Sequence, residues 1–167
     1  MENKKKSTWL RDIGIFAIIF FGISAWQGRH LLDSDGSITI DKTQLVSLDG
    51  SIQSLAEPGK RTLVYFFAPW CNICKLSIGN LDYLQSDDLK VVRIALDYRS
   101  LEDVETFVSE NDVTGTVLLG TNQQKQQFSV PGYPTYYLLD ENSNVVASSF
   151  GYSSALGLKL KNYLATN

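Results

Sequence analysis

Metal ligands are scarce in this chain. It holds one histidine, His30, one methionine, Met1, and two cysteines, Cys71 and Cys74. A structural zinc site needs about four ligands, so these residues give it no support. Glycine (12) and proline (4) are not in excess and 44% of the residues are hydrophobic, which argues against a disordered chain. Positive charge is missing from most of the length. Of 15 Lys and Arg and 18 Asp and Glu, five cations (Lys4, Lys5, Lys6, Arg11, Arg29) and two acids (Glu2, Asp12) fall in the first 30 residues. The remainder carries ten against sixteen, a net of −6. Such a domain has no basic stripe with which to gather nucleic acid, and none is expected as a partner.

What is present begins with a long uncharged stretch near the start. In MENKKKSTWLRDIGIFAIIFFGISAWQGRH, the 14 residues from Ile13 to Trp26 carry no charge. As a helix they reach about 21 Å, short of the roughly 20 residues that a bilayer core prefers. Extending to Trp9 gives about 27 Å, with Arg11 snorkelling or pairing with Asp12 and a tryptophan at each interface. The reading is a basic cytoplasmic tail over 1–12, a transmembrane anchor over 9–27, a linker over 28–36 and a folded domain over 37–167. A buried core helix and a cleaved signal peptide are the alternatives. Ile23 and Ala25 give half of a cleavage pattern, and bulky Trp26 follows. In either membrane reading the lysines stay inside and the domain crosses to a compartment that permits disulfides.

Beyond the anchor, SITIDKTQLVSL (Ser37–Leu48) predicts one or two short strands, and Asp49-Gly50 and Pro58-Gly59 predict turns. TLVYFFA (Thr62–Ala68) is β-branched and aromatic throughout, as in a strand buried on both faces. Pro69 stops it. Ile73, Leu76, Ile78, Leu81 and Leu84 then recur at helical spacing. A strand over Leu89–Leu96 and a helix capped by Ser100, with Asp103 three residues on, complete an α/β core. Thr116–Leu119 is a short strand and TNQQKQQF (Thr121–Phe128) a short surface helix or turn. Thr135–Leu139 and Val145–Phe150 form a hairpin, and a helix from Ser154 to Leu164 presents Leu156, Leu160, Tyr163 and Leu164.

The chemistry is concentrated in FFAPWCNICKL, Phe66 to Leu76. Cys71 falls at or near a helix N-terminus, where free N–H groups and the helix dipole favour a thiolate. A lowered pKa makes it the attacking sulfur. Cys74 lies one turn deeper on the same face and can resolve a mixed disulfide. Asn72 and Ile73 lie between the two sulfurs and tune them. A redox pair is the favoured reading. The alternatives are a Cu(I) carrier, which two thiolates suit, and an inert staple, which would close a loop too short to stabilise much.

From about Ser37 onward the chain resembles the thioredoxin-like superfamily. It is most similar to the membrane-anchored periplasmic branch of TlpA, ResA, CcmG-type and suppressor-of-copper-sensitivity D proteins. VYFFAPWCNICK looks like the family's junction of strand and active site, and VPGYPTYYLLD (Val130–Asp140) like its second landmark. The resemblance implies a central mixed sheet flanked by helices and a cis-proline, Pro134, facing the cysteine pair. It places Tyr133 just before that proline and Trp70 over one side of the substrate cleft. It also implies thiol:disulfide exchange on protein substrates, more often as a reductant, with no cofactor and with electrons from a membrane-embedded thiol reductase. The catalytic domain would lie in the periplasm of a Gram-negative cell, held to the inner membrane by one span, as a monomer. A chaperone or copper-handling module that uses the same cleft without turnover is the alternative.

The departures from the family pattern raise their own questions. Tyr65 stands where thioredoxin has a buried acid, and a tyrosine is a poor proton relay near neutral pH. Gly79 replaces a mid-helix proline and allows a bend without forcing one. Lys75 matches the usual cation after the motif, where it either helps the thiolate or is simply solvated. Glu57 and Asp97 are the other acids to place.

Overall fold

The structure is a computed structural model that describes residues 9, 11–19, 22, 30–41, 43–57, 59–84 and 86–164. It divides into two units, Met1–His30 and Leu31–Asn167. In the first, residues 11–19 are helical (α1), and Arg11 pairs with Asp12 at 3.4 Å. No helix among the described residues is long and apolar enough to cross a membrane. The predicted span over 9–27 is therefore not supported by a spanning helix, and Leu10, Phe20, Phe21 and 23–27 lie outside the described residues.

In the second unit the strands are β1 (Gln44–Ser47), β2 (Ile52–Ser54), β3 (Arg61–Phe67), β4 (Leu89–Ala95), β5 (Val117–Leu119), β6 (Thr135–Leu139) and β7 (Val145–Phe150). The helices are α2 (Asn72–Ser77), α3 (Leu101–Glu110), α4 (Asn122–Gln127) and α5 (Ala155–Leu164), and a 3₁₀ turn over Ile78–Leu81 continues α2. The strands form one mixed sheet in the order β2-β1-β5-β4-β3-β6-β7. Parallel pairing joins β3 to β4 and β4 to β5, and the other pairs are antiparallel.

β3 lies at the centre because almost all of it is apolar on both faces. Leu63, Tyr65 and Phe67 enter the core beneath α2, α3 and α5, while Val64 and Phe66 enter the core on the other face. α3 docks on the first face through Val104 and Phe107, and Phe107 stacks on Phe67 with centroids 4.9 Å apart. Burying two such side chains contributes about 3–6 kcal/mol. The expected Ser100 cap is present as a capping box with Asp103. A second box, Thr121 with Gln124, starts α4 in the glutamine-rich stretch and explains why so polar a segment is helical.

Four readings are corrected. Ile52–Ser54 is a strand, which so short a segment gains from pairing with β1 across the Asp49-Gly50 turn. Contacts of the second unit begin before Ser37, since Leu31 and Leu32 pack against the core and the Leu32 N–H donates to the Tyr137 hydroxyl at 3.2 Å. Ile73 and Leu76 face solvent, and the buried side of the segment is Cys74, Ser77, Ile78, Leu81 and Leu84. In α5 the buried leucine is Leu158, with Leu156, Leu160 and Tyr163 outward. Leucines alternate along that helix, so the sequence supports either face.

Candidate active site

Sheet register gathers the site at one end of the sheet. Phe67 is paired with Ala95, Phe66 with Thr135, and Ala95 with Leu119. The segments just after β3, β4 and β5 and just before β6 therefore emerge together, at the carboxyl ends of the parallel strands. Gly120 permits this closeness. A Cβ there would lie 2.6 Å from Ile94 Cγ2 and 2.7 Å from Leu96 Cδ2.

Cys71 and Cys74 form a disulfide with Cα atoms 5.2 Å apart. Cys71 is the N-cap of α2, and its Sγ accepts a hydrogen bond from the Cys74 N–H at 3.1 Å. The two sulfurs differ in access: Cys71 is 7% exposed and Cys74 0%. The helix they start is short. Ser77 donates to the Ile73 carbonyl at 3.0 Å, and one residue later the α-helix gives way to the 3₁₀ turn that contains Gly79. A back-bonding serine and a glycine both weaken a regular α-helix, which fits the change to 3₁₀ geometry over Ile78–Leu81.

Tyr65 is fully buried beneath this helix, against Tyr136 with centroids 4.9 Å apart. Its hydroxyl lies 2.9 Å from Ser77 Oγ and 3.4 Å from the Cys74 carbonyl oxygen. Because Ser77 donates to Ile73, Tyr65 can donate to Ser77 and complete the chain. Burial pushes the Tyr65 hydroxyl far above the ordinary phenol value, only partly opposed by Ser77. With its ring packed on Tyr136 and its hydroxyl on Ser77 and the Cys74 carbonyl, Tyr65 is placed as a core aromatic that supports the turn. Tyr65→Phe is expected to cost about 1 kcal/mol of stability and to leave insulin reduction within about twofold. A loss of tenfold or more, with a shifted pH profile, would show a relay after all.

The Tyr133–Pro134 bond is cis, and Pro134 is buried beside the point where the chain leaves β3. Trp70 is 61% exposed and meets the Tyr133 ring edge to face, with centroids 5.7 Å apart and planes at 78°. Both rings are tied to Asp97: Trp70 Nε1 donates to its carbonyl at 3.0 Å, and the Tyr133 hydroxyl donates to its Oδ2 at 2.9 Å. Lys125 of α4 pairs with the same carboxylate oxygen. Burial pushes the Asp97 carboxyl up, but the hydrogen bonds from Lys125 and Tyr133 and the charge of Lys125 outweigh it, leaving the group below the ordinary carboxylate value. Burial, then the Asp97 contact, raises the Tyr133 phenol.

The remaining candidates divide. Asn72 and Ile73 are exposed between the cysteines. Lys75 pairs with Glu110 of α3 at 3.7 Å. Glu57 lies before β3, at the far end of the strand from Cys71, and pairs with Lys90 at 3.0 Å. His30 is exposed, and no group of His, Cys, Asp or Glu among the described residues is placed to hold a metal ion. Reading the sequence did not find Lys125, Ser77, or the ion pair of Arg93 and Asp82. The available signals were the one cation in a glutamine-rich helix and Arg93, which with Lys90 is one of two charges inside LKVVRIAL.

A redox disulfide at the head of a helix that follows the central strand, with a cis X–Pro bond at the same end of the sheet, defines a thioredoxin-fold thiol:disulfide oxidoreductase. The sequence model of the Redoxin family matches residues 33–165, and the chain belongs to that family. It is 29% identical to the thioredoxin-like protein YneN of Bacillus subtilis over 80% of this chain and 84% of the relative. It is 24% identical to sporulation thiol-disulfide oxidoreductase A of the same organism, over 85% and 91% respectively. Among solved structures, a DsbF homologue from Corynebacterium diphtheriae shares the fold, with a TM-score of 0.70 and 22% identity over 80% of this chain and 90% of that one. The protein is a protein-disulfide oxidoreductase of the thioredoxin-like class, as the sequence resemblance implied.

Proposed function

We propose that this oxidoreductase works as a reductant of protein disulfides outside the cytosol, held to the inner membrane by its N-terminal segment, with its domain in the periplasm. The observation that carries the assignment of the two sulfurs is their difference in access, since only Cys71 reaches the surface. The Cys71 thiolate attacks a substrate disulfide, a Cys71–substrate S–S bond forms, and the substrate's other sulfur leaves as a thiolate. The Cys74 thiolate then attacks Cys71 Sγ and releases the second substrate thiolate. Two electrons have passed to the substrate and the Cys71–Cys74 disulfide remains. A membrane-embedded dithiol partner must restore the reduced pair.

Trp70, Tyr133 and Pro134 shape the cleft in which the substrate segment lies, and Asn72, Ile73 and Lys75 tune the pair. The domain acts as a monomer. Support for the anchor comes from the uncharged run of Ile13–Trp26 behind three lysines.

Labelling of intact cells with a membrane-impermeant maleimide tests both location and direction. Labelling of Cys71 without added reductant is expected. Labelling only after lysis would overturn the location, and labelling only after an impermeant phosphine would overturn the reductant role.

A further inference from the structure

One residue, Asp97, ties together Trp70, Tyr133 and Lys125. Asp97 follows β4 and has a left-handed backbone, φ +48. Aspartate tolerates that conformation better than most residues. Its carbonyl holds the Trp70 indole, and its Oδ2 accepts from the Tyr133 hydroxyl and from Lys125. Lys125 Nζ also lies 5.7 Å from the centroid of the Tyr133 ring. The four residues come from the segments after β3 and β4, from α4, and from the loop before β6. They close a ring of contacts that does not include either sulfur.

The chemistry of this hub calls for an ionised carboxylate. It accepts from a phenol and an ammonium at once, and it cancels the Lys125 charge at the rim. An amide oxygen could accept from both donors but would carry no charge to cancel that of Lys125. With Lys125 neutralised, the wall made by Trp70 and Tyr133 presents two aromatic rings to the cleft, which suits an extended segment with apolar side chains.

We propose that Asp97 is the positioning residue of the substrate cleft, fixing the Trp70–Tyr133 wall and keeping its rim uncharged for apolar polypeptide segments. The proposal rests on the reading that Trp70 and Tyr133 line that cleft.

Asp97→Gly tests it, because glycine keeps the positive φ and the carbonyl for Trp70 while removing the carboxylate. The full chain would be assayed in its reduced form with an internally quenched peptide disulfide flanked by apolar residues, and separately in its oxidised form by the rate at which dithiothreitol reduces the Cys71–Cys74 disulfide. The peptide kcat/KM should fall on the order of tenfold, through KM, which is short of the hundredfold that a 1 Å misplacement can cost. Dithiothreitol exchange should stay within about twofold, since a small thiol needs only the sulfurs. Tyr133→Phe should match the loss, and the double variant should be no worse than either single. The same peptide with acidic flanks should lose less, because Lys125 is then uncovered.

An equal loss toward dithiothreitol would overturn the proposal in favour of a structural role, and an unchanged peptide rate would overturn it outright. Trp70→Ala separates the underlying reading. If it leaves the peptide kcat/KM unchanged, the cleft assignment falls and the proposal with it. If it lowers the rate while Asp97→Gly does not, only the proposal falls.

Discussion

Cys71→Ser is expected to slow protein-disulfide reduction by roughly a thousandfold or more, because a serine hydroxyl is not ionised near neutral pH and cannot form the mixed disulfide. Position sets the two sulfurs apart. Cys71 caps α2, with its sulfur accepting from the Cys74 N–H, and it is the sulfur with a path to solvent. Cys74 lies in one buried cluster with Tyr65, Ile78 and Leu81 and is 0% exposed. Cys74→Ala should therefore behave differently. Its first bond exchange should survive while turnover stops, since nothing is left to attack the mixed disulfide. Stopped-flow measurement of a single turnover against steady-state insulin reduction reads that difference. Loss of the first exchange in Cys74→Ala would contradict it.

Asp82→Ala is expected to destabilise the fold by about 3–5 kcal/mol, the cost of stranding a buried cation. Arg93 is 0% exposed on β4, directly opposite Tyr65 in register, and its Nη2 is 2.5 Å from Asp82 Oδ1. Its Nε and Nη1 have no partner among the described residues. Burial lowers the guanidinium pKa, with Asp82 opposing the shift, so the carboxylate is what makes the buried charge tolerable. Against a typical total of about 5–15 kcal/mol, the loss is large. It should lower the melting temperature by about 10 °C. Arg93→Met should be far milder, because Asp82 is 33% exposed and can be hydrated once alone. The double variant should recover most of what Asp82→Ala loses. Urea unfolding of the three variants checks this, and an Arg93→Met variant as unstable as Asp82→Ala would contradict it.

Arg93 and Asp82 also show where sequence reading stops. The central strands were legible because β3 and β4 are apolar on both faces, and the cysteine pair and Pro134 were legible because each sits in a recognisable junction. Arg93 was visible only as one of two charges in an apolar strand, and its partner stands eleven residues earlier, beyond a loop. Asp97 was singled out but could not be given a role. Its contacts exist only because register brings four segments to one end of the sheet. Ile73 and Leu76 fit a helical period, yet they face out, because the side of α2 that meets the core is the one carrying Cys74 and Ser77. Tyr65 was legible as a departure from the family's buried acid, whereas its packing on Tyr136 and its hydroxyl on Ser77 follow only from the placing of α2 over β3.

The account's central claim is that Cys71 attacks and Cys74 resolves. The most direct measurement is mass spectrometry of mixed disulfides trapped in cells on the full chain carrying Cys74→Ala, beside the same chain carrying Cys71→Ala. The account predicts protein adducts on Cys71 in the first and none on Cys74 in the second. Adducts on Cys74 in the Cys71→Ala chain, with none on Cys71 in the other, would contradict it.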